Sequence, residues 1–248
     1  MKMRFQITLT FFILGITNIV IGQDIEYKSG DKQVALVELY TSQGCSSCPP
    51  ADQWLGELKN EPGLWDEFVP VAFHVDYWDY LGWKDSFSNA KYSDRQRLHR
   101  KQGNVKVVYT PGFFLNGKEW KRKFGRSTPT LSKNSAGNLQ ANLSGNVLKV
   151  NYDSSKVIKN TTILNVGILG FGYQTPIQSG ENSNRVLEED FVLLSHSKHQ
   201  SSNQSWEITL PDSITPKAEK YAVAIWVSEG NNLKPLQTTG GWLPNDLY

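Results

Sequence analysis

Cys45 and Cys48, in the run Cys45-Ser46-Ser47-Cys48, are the only two cysteines of the 248-residue chain. Residues three apart on a helix share one face, so the two sulfurs can meet and close a disulfide. At a helix N-terminus, free amides and the helix dipole favour a negative sulfur. This predicts thiol–disulfide exchange, with Cys45 as the exposed, low-pKa nucleophile and Cys48 as the resolving thiol. Two other readings stay open at this point. The pair can be an unreactive staple of one helical turn, or it can bind Cu(I) with His74 as a third donor. A zinc site needs a second pair of ligands, and no other cysteine supplies one.

Several elements must position the pair. Val34 to Tyr40 is a short apolar run of the kind that makes a buried strand. The turn Ser42-Gln43-Gly44 leads into the cysteines. Pro49 and Pro50 follow them, where a first helical turn tolerates proline. Trp54, Leu55 and Leu58 then recur at helical spacing between Ala51 and Lys59. Val69 to Tyr77 predicts a second strand, with Pro70 at its start; His74 within it reads as a hydrogen-bonded core histidine or, beside the cysteines, as a proton donor or metal ligand. Ser88 to Lys101 carries many charges and predicts a solvated helix. Asn116-Gly117, between Phe113-Phe114-Leu115 and Trp120, predicts a tight hairpin, because both turn residues accept positive φ.

After Gly125 the composition changes. Residues 126–145 are rich in Ser, Thr, Asn and Gly, which predicts a short polar helix and a linker. Strand-like runs follow at 147–152, 162–169, 185–194, 205–210, 221–227 and 233–238, a spacing that predicts an antiparallel sandwich. His99, His196 and His199 lie in polar stretches and read as surface residues. Tyr77, Trp78, Asp79, Tyr80 and Trp83 form an aromatic and acidic insert. It can line a groove beside the cysteines, with Trp78 and Trp83 touching substrate, or it can be a packing surface. No phosphate loop, nucleotide fingerprint or serine-nucleophile elbow is present.

The N-terminus carries a targeting pattern. Lys2 and Arg4 precede a mostly apolar run from Phe5 to Ile21, and Val20 and Gly22 provide a small-residue exit before Gln23. That order predicts a secretory signal peptide over 1–22. The alternative is an uncleaved anchor, which Thr8, Thr10, Thr17 and Asn18 disfavour. No later segment is long and apolar enough for a span. Without residues 1–22 the chain holds 24 Lys+Arg against 24 Asp+Glu, so nothing in its charge argues for a nucleic-acid partner. The expected setting is exported, periplasmic or secreted, where disulfides persist. The expected partners are protein thiols or disulfides.

The order strand, Cys-x-x-Cys-Pro, helix, strand, helix, Thr110-Pro111 and hairpin resembles the thioredoxin fold. The resemblance implies an α/β thioredoxin-like domain over 31–140, and the strand spacing beyond it predicts a mostly β, sandwich-like domain over 143–248. It implies a cis Pro111 that docks the partner's backbone, with Thr110 beside it. It also implies that Glu38 is a buried acid able to take the proton of Cys48; read from its residues alone, Glu38 equally fits a half-buried strand position paired to a lysine. Gly44 stands where that fold usually keeps Trp. The stretches Glu38 to Asp52, His74 to Asp85 and Val108 to Pro111 resemble, more closely, a bacterial family of exported thioredoxin-like proteins of unknown function. A fainter likeness continues at Gly180-Glu181-Asn182 and Arg185. Neither resemblance implies an organic cofactor beyond the redox-active disulfide.

Overall fold

The computed structural model describes residues 24–121 and 128–248; the expected signal segment 1–22 lies outside them. In chain order the elements are β1 (Ile25–Lys28), β2 (Ala35–Thr41), α1 (Pro49–Glu57), β3 (Phe68–His74), α2 (Ala90–Lys101), β4 (Gly112–Leu115) and β5 (Lys118–Glu119). There follow β6 (Asn138–Ser144), β7 (Val147–Asp153), β8 (Thr162–Phe171), β9 (Tyr173–Pro176), β10 (Val186–Glu189), β11 (Val192–Ser201), β12 (Ser205–Thr209), β13 (Lys220–Glu229) and β14 (Pro235–Trp242).

Eight strands form one mixed sheet in the order β14-β13-β8-β11-β3-β2-β4-β5. A second sheet, β1-β6-β7-β12, is antiparallel, and β9 and β10 make a separate two-stranded ribbon. The join between the two halves of the chain is β11 beside β3, parallel, with Val192 opposite Ala72 and the Ala72 amide donating to the Phe191 carbonyl. This overturns the expected fold class. The strands β2, β3, β4 and β5 do not build an α/β thioredoxin-like domain of their own. They are one end of an eight-stranded sheet in a mostly β molecule that has only two α-helices among the described residues. A pairing between residues so far apart in sequence leaves no local pattern by which it could be foreseen.

Burial explains the layering. Along β13, Tyr221, Val223, Ile225 and Val227 face the four-stranded sheet, while Ala222, Ala224 and Trp226 face the core shared with β2 and β3. Strands buried on both faces read as continuous apolar runs, as β13 does. β6 shows the opposite case: Leu139, Ala141 and Leu143 point inward between Asn138, Gln140, Asn142 and Ser144. Residues 138–144 of the expected polar helix and linker are therefore a strand, its period-two alternation hidden by polar composition. Similarly, the single strand expected over 185–194 is broken by a turn at Asp190-Phe191, where Phe191 has φ +58° and β10 hands over to β11. The Asn116-Gly117 hairpin stands as expected, with φ of +50° and +73°.

The second helix is not the solvated element that its charges predict. Tyr92, Ser93, Arg95, Gln96 and His99 are buried on its sheet-facing side. Asn89 caps it through its side chain, which accepts from the Lys91 amide. His99 is fully buried and His196 is half-buried against Trp226, so neither is the surface residue that its neighbours in sequence imply.

Candidate functional site

Cys45 and Cys48 form a disulfide with Cα atoms 5.4 Å apart. Cys48 is the N-cap of α1, and the amides of Ala51 and Asp52 donate to its carbonyl. Pro49 and Pro50 occupy the first turn and bring no amide hydrogen. Contrary to expectation, Cys45 is not exposed: it keeps 1% of its surface accessible and Cys48 keeps 0%. Ser46 and Ser47 alone in the motif face solvent, with the Ser47 hydroxyl 3.4 Å from the Cys45 sulfur.

The aromatic insert accounts for part of this cover. A Cβ on Gly44 would lie 3.1 Å from the Trp78 Cβ, so glycine lets Trp78 pack against the cysteine loop. The Trp78 indole donates to the Thr110 hydroxyl at 2.7 Å, which ties two of the expected substrate-binding residues together just before the cis Thr110–Pro111 bond. The Trp83 indole donates to the Gln43 side-chain oxygen at 3.0 Å. Trp83 thus props the residue two before the first cysteine. Beside Ser47 opens a cavity of about 280 Å³ lined by Pro50, Ala51, Tyr109, Pro111, Phe113, Trp120 and Lys121. Pro111 and the cysteine loop therefore border one apolar recess.

Glu38 does not sit with the cysteines. Its carboxylate accepts from the Arg95 guanidinium at 2.8 Å, the Tyr40 hydroxyl at 2.9 Å and the His99 ring at 3.3 Å. These contacts place it on the α2 side of β2. Neighbouring strand positions alternate in face, and Thr41 accordingly turns to α1. Burial would raise the Glu38 carboxyl, but the Arg95 and His99 charges hold it well below the usual range. The implied role of proton acceptor for Cys48 does not fit this placement, and neither does pairing to a lysine.

The acid on the cysteine side is Asp52, which sequence reasoning missed. It lies four residues after Cys48, one helical turn along the same face. Half-buried, it accepts from the Thr41 hydroxyl at 2.9 Å. Burial pushes it up to about 7, reinforced by Glu189 and Asp85 and opposed by His74 and the Thr41 hydrogen bond. The overlooked signal was its i+4 spacing from Cys48, masked because an acid in a first helical turn already has a reason to be there.

His74 completes a buried polar cluster behind Asp52. Its Nδ1 meets Asp85 Oδ2 at 2.8 Å, and its Nε2 has no hydrogen-bond partner among the described residues. Burial would lower it, but Asp85 foremost, then Glu189 and Asp52, raise it to about 9. Among the described residues no group of three His, Cys, Asp or Glu is placed to hold a metal ion. Gln43 links the cluster to the cysteine loop: its amide N–H donates to Asp85 at 2.9 Å, and its side-chain NH₂ reaches both Glu189 oxygens at 2.9 and 3.0 Å.

Residues 36–228 match the family described as a protein of unknown function (DUF1223), and the chain belongs to that family. Two solved structures share its fold. A crystal structure of a protein from Agrobacterium tumefaciens matches with a TM-score of 0.57 and 18% identity, over 87% of this chain and 96% of that one. HBP35 of Porphyromonas gingivalis matches with a TM-score of 0.50 and 12% identity, over 87% of this chain and 76% of that one. No curated protein matches.

Proposed function

We propose that this member of the DUF1223 family exchanges disulfides with protein thiols in an exported compartment, through Cys45 and Cys48. The observation that carries the reading is the disulfide at the head of α1 with the Asp52 carboxyl one turn beneath it and an apolar recess beside it. Export is supported by the charged, apolar and small-residue order of positions 1–22. No described helix is long and apolar enough to cross a membrane.

In the oxidising direction, a partner thiolate attacks the Cys45 sulfur. A mixed disulfide forms, and the Cys45–Cys48 bond breaks with its electron pair leaving on Cys48. Asp52, still protonated near neutral pH, hands its proton to that leaving thiolate. A second partner thiolate then attacks the partner sulfur, forming the partner disulfide and releasing Cys45 as thiolate. Two electrons pass from partner to pair. In the reverse direction Asp52 as carboxylate takes the Cys48 proton, and Cys48 attacks the mixed disulfide.

The assignment of roles has a direct test. With Cys48→Ser, Cys45 has no resolving partner, so incubation with oxidised glutathione should leave one glutathione bound per chain by mass spectrometry. Under the proposed roles Cys45→Ser should retain far less, because Cys48 is then not the sulfur that the partner attacks. Equal labelling of the two variants contradicts the assignment, and no labelling of either contradicts exchange altogether.

A further inference from the structure

The disulfide is covered by chain from the far half of the sequence. The β9–β10 ribbon belongs to neither large sheet, and its connecting loop, residues 177–185, reaches back over the cysteine loop. Asn182 is 0% exposed and gives its side-chain NH₂ to two carbonyls, Gln43 at 2.9 Å and Cys45 at 3.0 Å. Arg185 donates to the Asn182 side-chain oxygen at 3.1 Å and so fixes which way the amide points. Next to it, Glu181 accepts the amide hydrogen of Ser46 at 3.2 Å. Gly180, at φ +78°, passes so near Trp83 that an added Cβ would sit 3.2 Å from that residue's Cβ.

Resting on the proposed exchange reaction, we infer that Asn182 and Glu181 are positioning residues for Cys45. Asn182 latches the 177–185 loop across the pair, and Glu181 withholds an amide hydrogen that would otherwise stabilise the Cys45 thiolate. The second part follows from how few donors the site has. Pro49 and Pro50 offer none and the Cys48 amide donates to the Cys45 carbonyl, so few amides beside the pair stay free for a negative sulfur, among them that of Ser46. Glu181 occupies it and adds a like charge nearby. Both effects disfavour thiolate, and so favour the disulfide over the dithiol. The latch acts differently. It restrains access, so its removal speeds attack on the pair in either direction. The far half of the chain thereby sets both how fast the cysteines react and where their equilibrium lies.

The test uses the mature chain as wild type, Glu181→Ala, Glu181→Gln and Asn182→Ala. Each is equilibrated with glutathione and thiol-trapped, and each is followed during reduction by dithiothreitol. Glu181→Ala should move the equilibrium about threefold toward the dithiol, about 14 mV for a two-electron couple. Glu181→Gln, which keeps the hydrogen bond and loses the charge, should fall between. Asn182→Ala should be reduced about tenfold faster; if it fails to fold, Arg185→Ala should show a smaller acceleration of the same sign. Unchanged equilibrium in Glu181→Ala, or an unchanged rate in a folded latch variant, overturns the inference. Failure of the wild type to equilibrate at all would instead overturn the exchange reaction beneath it.

Discussion

Asp52→Asn should slow exchange at pH 7 about 100-fold, the lower end of the range for a lost general acid or base, while leaving the chain more stable than the wild type. The two effects have one origin. Asp52 on α1 is enclosed by Thr41 of β2, His74 of β3, Asp85 after the aromatic insert and Glu189 of β10, and burial holds its carboxyl up at about 7. In the unfolded chain it titrates at about 3.9. Between those values the folded state binds the extra proton, so stability falls as pH rises from about 4 to about 7. Asparagine removes that loss, for a gain of about 1–3 kcal/mol at pH 7.5 after allowance for the side chain's remaining solvent contact. Stopped-flow rates and urea melts of the same preparation check both halves. In the wild type, closure of the reduced pair should accelerate through pH 7 as the carboxylate forms, and in Asp52→Asn that inflection should vanish. A variant that is slower and also less stable would point to structural damage instead.

Glu38→Ala should have the largest effect on stability. Glu38 is 0% exposed, and its carboxylate is the counter-ion of the buried Arg95, whose guanidinium lies 5.2 Å from the Phe73 ring centroid and 5.7 Å from that of Trp226. Removing one partner of a buried pair strands the other charge, at about 3–5 kcal/mol. For a chain of this size that lowers Tm by about 10 °C. Because the Glu38 carboxyl is held below its ordinary value, its stabilisation is present above about pH 4.3 and is lost as the pH falls through its folded value. Calorimetry should therefore find wild type and variant converging in strong acid. Glu38→Gln, in whatever fraction folds, should keep the wild-type pH profile of exchange. A profile altered as in Asp52→Asn would return the proton to Glu38.

Much of the cysteine side was legible from residues 34–59 because its determinants are local. The apolar run of β2, the prolines after Cys48 and the spacing of Leu55 and Leu58 each act within one turn or strand. The Asn116-Gly117 hairpin was legible for the same reason. Long-range placements were not. Glu38 and Thr41 differ by three strand positions and so face opposite helices, but which helix each would meet depends on the packing of α1 and α2. Likewise Asn182 looks like an ordinary loop asparagine until the ribbon folds back and its amide meets the Cys45 carbonyl. The eight-stranded sheet was hidden most completely, since Val192 finds Ala72 only when the two halves dock. β11 itself mixes Ser, His, Lys and Gln into a half-buried strand that does not advertise such a partner.

Whether the buried Cys45–Cys48 disulfide exchanges in the folded protein is decided by its reduction potential. The mature chain would be equilibrated with graded glutathione mixtures, long enough to allow for its cover, then thiol-trapped and quantified by mass. A working pair should show a reversible two-electron transition between about −120 and −270 mV, the span of disulfide donors and reductants. A pair that stays oxidised throughout while folded, and reacts only once the chain is unfolded, would contradict exchange and leave the disulfide as a staple of the α1 N-terminus.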